Sequence, residues 1–346
     1  MATERFPLSR RALLATALAL PFAASNAWPA QSAQAPAALL TCGADKAGDA
    51  FFGLNADGTP LWRHALPGRG HGMGVSPDGR FAILSARRPD HWLLRLDLQS
   101  GATSVWPSEA LAYGGHAIFL DQDRIAATAS DADGMGCIAV LDARTGARIA
   151  LWPTAGVDPH ELLLLDGRLV VANGGDVLDK SSLVLMDVAS GEILNQREVP
   201  DDLRRLSLRH MAIVEGDSVE AGSVEGWRVA VGAQDRGNID PAIPLLVFWQ
   251  GEELDWQPLG DAQGELRGYC GSVTAHGNSL YITSPHGGLA LHHPDGAKLH
   301  MPDICGAAAL QDGFFFSGGR GDLILPDGRR RNLPIAWDNH IRAISA

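Results

Sequence analysis

Residues 93–106 read LLRLDLQSGATSVW, residues 138–152 read IAVLDARTGARIALW, and residues 183–196 read LVLMDVASGEILNQ. Each is an apolar strand, an aspartate, a Ser/Thr-Gly turn and a second strand. The aspartates Asp97, Asp142 and Asp187 stand 45 residues apart, a fixed period of the kind that marks a repeat architecture. The turn has a physical basis. An aspartate or hydroxyl bonds to nearby backbone, and glycine accepts the positive φ that a tight hairpin needs, so D-x-x-[ST]-G joins two antiparallel strands.

Upstream of each turn lies another pair of strands, in GMGVSPDGRFAILSA (72–86), HAIFLDQDRIAATAS (116–130) and HELLLLDGRLVVANG (160–174). Four short strands in about 45 residues is the period of a β-propeller blade. Later units are more degenerate, but their first strands fall at RHMAIVEG (209–216), YCGSVTAHGNSLYITS (269–284), CGAAALQDGFFFSGG (305–319) and NHIRAIS (339–345). The last start has no room for three more strands. Three unclaimed strands lie near the N-terminus, in ALLTCGA (38–44), AFFGLNADG (50–58) and PLWRHAL (60–66). The fold class expected is therefore all-β: a seven-bladed β-propeller over 36–346, its last blade closed by the C-terminal strand plus three N-terminal ones, leaving no free sheet edge.

Aligned on their first strands, the blades begin with His71, His116, His160, His210, Cys270, Cys305 and His340. Five of the 12 histidines share this register. First strands line a propeller's channel, so these residues are expected around one mouth. The loops between second and third strands return to the same face, bringing Arg87, Arg88, Asn173, Asp176, Gln234, Asp235, Arg236, His286 and Arg320 towards it. Two readings stand for the ring. Neutral imidazoles offer nitrogen ligands to iron, copper or zinc, or axial positions to a haem, with Asp158 or Glu161 as further ligands. Alternatively, histidines at a wet mouth bond to water and carbonyls and bind nothing.

Cys270 and Cys305 occupy the same register in consecutive blades, within disulfide range if adjacent inner strands face each other. A disulfide is expected first, a pair of thiolate ligands second and two buried thiols third. Cys42 and Cys137 read as buried and inert.

A net charge of −12 and a pI near 5.4 argue against a nucleic-acid or anionic membrane surface as main partner. Residues 1–35 read as a cleaved export signal, with Ser9-Arg10-Arg11, an apolar stretch to Phe22 and a small-residue site at Ala33-Gln34-Ala35 or near Ala27. The paired arginines resemble a twin-arginine signal more than a Sec signal. No other stretch is apolar and long enough to span a bilayer. A periplasmic, monomeric protein is expected. GRGHGMG (68–74) lacks the strand-to-helix setting of a dinucleotide site, and no Gly-x-Ser-x-Gly elbow, P-loop or C-x-x-C-H haem attachment occurs.

With DPHELLL, RHMAI, YCGS, CGAAA and NHIRAI in hand, the chain resembles an uncharacterised family of bacterial periplasmic propellers, encoded beside imelysin-type iron-regulated proteins and dihaem oxidoreductases. The resemblance covers almost the whole chain after the signal. It implies a seven-bladed fold related to the beta chain of quinoprotein amine dehydrogenase and to YVTN propellers, imelysin-type partners, and a role near iron acquisition. It implies no established reaction. As chemistry only, the ring is similar to the histidines that hold copper in the nitrous oxide reductase propeller.

Three functions follow as expectations. The first is a metal- or haem-binding propeller. The second is a metal-dependent oxidoreductase or lactonase-like hydrolase using Asp158, Glu161 or Asp235 as acid or base. The third is a docking platform without chemistry.

Overall fold

The computed structural model describes residues 34–344, apart from 89, 109, 216–226 and 238. The expected signal therefore lies outside the described residues, save Gln34 and Ala35. One compact unit spans Ala33–Ala346. Among the described residues it consists of seven four-stranded antiparallel sheets and two short helical turns, Asp201–Leu203 and Ala262–Glu265. No described helix is long and apolar enough to cross a membrane.

The sheets are the blades of a seven-bladed propeller. Blades one to seven have as inner strands Gly70–Val75, Ala112–Phe119, Pro159–Leu165, Leu206–Glu215, Ser272–His276, Ile304–Leu310 and Ala336–Ala343. Each inner strand packs on the next, and the seventh packs on the first. Blade seven is closed as the repeat predicts. Its inner strand pairs with Leu39–Asp45, followed by Gly48–Leu54 and Pro60–Ala65, with Leu39 opposite Ala343 and Thr41 opposite Ile341.

The repeated turn behaves as its residues dictate. Asp97 Oδ1 accepts backbone N–H bonds from Gln99 and Ser100 at 2.9 and 3.1 Å, and Asp142 and Asp187 repeat the pattern. The turn glycines Gly101, Gly146 and Gly191 have φ of 74°, 74° and 76°, which only glycine adopts without strain. The same glycines pack blades together. A Cβ on Gly146 would lie 2.3 Å from the Trp106 ring, and one on Gly191 would lie 2.3 Å from Trp152, so each tryptophan of an outer strand covers the next blade's turn.

Between blades the core is apolar. Leu40, Leu84 and Leu94 are buried between blades seven and one, and Phe52, Phe315 and Leu323 between six and seven. Each such side chain stabilises the fold by roughly 1.5–3 kcal/mol.

The expected Cys270–Cys305 disulfide is not formed; all four cysteines are free and buried. The two thiols turn in opposite directions around the ring. Cys270 Sγ faces the Leu245 carbonyl of blade four at 3.5 Å, whereas Cys305 Sγ faces the Asp338 carbonyl of blade seven at 3.4 Å. Burial pushes both thiols up to about 12, so neither offers a thiolate.

Candidate metal centre

Every histidine that begins an inner strand stands at a break in its ladder. Register shifts fall between Gly70 and Met73, Tyr113 and Ala117, Pro159 and Leu162, and Leu208 and His210, and in blade seven opposite Thr41 to Gly43. A bulge bends the strand and re-aims a side chain. Here the bulges turn five imidazoles into the channel. Buried hydroxyls catch carbonyls that the bulges free: Thr41 Oγ1 donates to the His340 carbonyl at 2.8 Å, and Thr128 Oγ1 to that of His160 at 3.1 Å.

Glycines beside the histidines allow close approach. A Cβ on Gly72 would lie 2.4 Å from His116 Nδ1, and one on Gly115, whose φ is 109°, would lie 2.9 Å from His71 Cδ2. The rings consequently form one cluster. Centroids of His71 and His340 are 4.4 Å apart, His116 and His340 4.6 Å, His116 and His160 4.9 Å, and His160 and His210 4.9 Å. Two sets bring one nitrogen from each residue within 4.8 Å of the others: His71, His116 and His340, and His116, His160 and His210.

Burial lowers the imidazole pKa of His71, and lowers His116, His160 and His340 well below the ordinary value. These four are neutral near pH 7 and carry lone pairs for a metal. Their partners decide which lone pairs are free. His71 Nδ1 lies 3.0 Å from Asp338 Oδ1. Burial alone would raise the Asp338 carboxyl, but the hydrogen bond from His71 and the nearby Arg69 and Arg87 hold it far below the carboxylate range. Ionised Asp338 thus accepts the Nδ1 proton, leaving the lone pair on His71 Nε2. Carboxylates orient metal-bound histidines in this way. Nε2 of His116 and of His340 is buried with no hydrogen-bond partner.

The second set is more engaged. Arg209 Nη1 donates to His160 Nδ1 at 3.3 Å. Glu161 lies beside His210 and His116 at 3.4 and 3.8 Å and accepts the Met211 N–H at 2.8 Å. The first set, with its free nitrogens, suits an ion better.

The cluster sits between two cavities. One, of about 310 Å³, is the mouth and is lined by Arg87, Arg88, Arg209, Gln234, Tyr269 and Asn339 together with ring histidines. The other, of about 250 Å³, is lined by His116, Glu161, Met73, Met211, His340 and Arg342 among others.

The expected rim divides. Arg87 lines the mouth. Asn173 is fully buried and donates to the Thr154 carbonyl and Ser182 hydroxyl. Asp235 turns to Arg205 at 2.9 Å. Arg236 fastens the Gly174 and Gly175 carbonyls and Ser207, while His286 packs at a tilt against Tyr269, ring centroids 4.3 Å apart. Arg320 is exposed, and its carbonyl accepts Asn332. Asp338, Arg209 and Tyr269 were not singled out by spacing. A signal for the first existed in DPH and DNH, where an aspartate stands two residues before His160 and His340.

The model of the family described as "Protein of unknown function (DUF1513)" matches residues 64–344. No curated protein matches the chain. Among solved structures, Kuenenia stuttgartiensis hydrazine synthase is similar with a TM-score of 0.59 at 14% identity, over 82% of this chain and 88% of that one. The β-propeller domain of Myceliophteria thermophila Cps50 (Swd1) is similar with a TM-score of 0.51 at 12% identity, over 83% and 95%. At such identities the likeness shows the propeller fold alone.

Proposed function

This chain belongs to the DUF1513 family, and we propose that it holds a transition-metal ion on His71, His116 and His340, with His160 and His210 beside them. The observation that carries this is the pair of buried, unpartnered ring nitrogens of His116 and His340 in one ligand-spaced set with His71. A buried polar atom left unpaired costs about 1–3 kcal/mol, and a metal ion would satisfy both at once. All-nitrogen ligation by neutral imidazole suits iron, copper or zinc. Three ligands leave a position for a further donor.

Geometry favours an ion over haem. Ring centroids 4.4 to 6.1 Å apart leave an ion-sized gap and no slot for a macrocycle. The hydrolase reading loses two of its three acid or base candidates, Asp158 being bound by Arg88 and Arg209 and Asp235 by Arg205, and keeps Glu161, which lines the inner cavity.

The wider role follows the resemblance and the N-terminal signal. The protein would be exported to the periplasm and serve iron acquisition beside imelysin-type proteins. Titration with Co²⁺ tests the site. Wild-type protein is expected to develop visible d–d absorption saturating at a stoichiometric ratio, and the His116→Ala/His340→Ala variant none. Absence of bands in the wild type would overturn the reading.

A further inference from the structure

We infer that the mouth above the histidine cluster binds a small polycarboxylate, held by Arg87, Arg88 and Arg209. This deepens the metal reading and rests on it only for the share of affinity that a bound ion would add.

The protein is acidic overall, with a formal charge of −12, yet this cavity is lined by arginines and no acidic residue. Arg87, Arg88 and Arg209 border it with His71, His160 and His210, and Gln234, Tyr269 and Asn339 add neutral polar groups. Two carboxylates stand behind them. Asp338, nearly buried, is shared among His71, Arg69 and Arg87, and Asp158 between Arg88 and Arg209. More guanidinium than carboxylate therefore faces the cavity. Arg209 is 12% exposed, and its Nε is buried without a partner. Arg88 shares Asp158 with it, so the two guanidinium groups have one carboxylate between them. An anion in the cavity would relieve that crowding.

Size and chemistry narrow the ligand. About 310 Å³ is the lower end of small-molecule sites, which excludes a large chelator. Guanidinium groups recognise planar carboxylates through paired N–H donors. A second carboxylate or hydroxyl on the same molecule would reach the floor of His71, His160 and His210, of which His71 is also a proposed ligand of the ion. The site thus suits a small hydroxy-polycarboxylate that carries or caps the metal.

The test is calorimetric titration of the full chain with citrate, with chloride and inorganic phosphate as controls. Metal content is measured on the same samples. Wild-type protein should bind citrate, and the Arg88→Gln and Arg87→Gln variants should bind it at least about tenfold more weakly with melting temperature retained. Citrate binding that is absent, or equal in both variants, or matched by chloride and phosphate, overturns the inference. The His116→Ala/His340→Ala protein separates the two readings. Arginine-dependent citrate binding there, in protein that takes no metal whether or not the wild type does, supports the mouth site independently of the ring.

Discussion

Nδ1 of His71, in blade one, lies 3.0 Å from Oδ1 of Asp338, in blade seven, and both side chains are nearly buried. This pair joins the C-terminal strand of blade seven to blade one and fixes the orientation of His71. Asp338→Asn removes the charge that fixes His71 and faces Arg69 and Arg87. Because both arginines are partly exposed, the loss is discounted to about 2–3 kcal/mol, with metal affinity falling roughly 10–100-fold. Urea unfolding and metal competition measure the two effects.

Gly72 permits His116 to approach blade one. With a Cβ only 2.4 Å from His116 Nδ1, Gly72→Ala must displace the ring or the strand. The variant is expected to lose about 1–3 kcal/mol and to show weaker Co²⁺ absorption than the wild type at equal protein.

Acid stability follows from the buried imidazoles. His71, His116, His160 and His340 are lowered by burial. Unfolded imidazoles take up protons below about pH 6.5, and the folded ones do so only further down. Unfolding therefore binds protons in that window, and stability falls as pH drops through it. Urea midpoints of metal-free protein should decline from just below pH 6.5. A midpoint that stays flat until the carboxylates titrate near pH 4 would contradict the assigned burial.

The thiols should be inert in the native state. Burial raises Cys137 to about 11 and Cys270 and Cys305 to about 12, and raises Cys42 well above its ordinary range. Alkylation followed by mass measurement is expected to label none natively and all four cysteines after denaturation. Recovery of two labels under non-reducing denaturation would reinstate a disulfide.

The fold was legible because its information is local and repeated. D-x-x-[ST]-G at Asp97, Asp142 and Asp187 specifies the same turn three times, and the leftover strands at both ends leave blade seven as their one arrangement. The ring was legible as a register. What the residues could not reveal was direction. Bulges occur at the histidines and at Cys305 alike, yet the histidines turn inward whereas Cys270 and Cys305 lean into opposite blades, a choice made by packing against Gly232 and the Asp338 carbonyl. Residues at the ends of second strands were the least legible. Asn173 and Asp235 found backbone and arginine partners in tertiary contacts, which strand spacing does not encode.

The most direct measurement is elemental analysis of protein purified without a histidine tag, before and after incubation with ferrous, cupric and zinc salts. The account predicts stoichiometric transition metal in the wild type and none in the His116→Ala/His340→Ala variant. Wild-type protein that stays empty after all three incubations, or a variant that retains full metal, would contradict it.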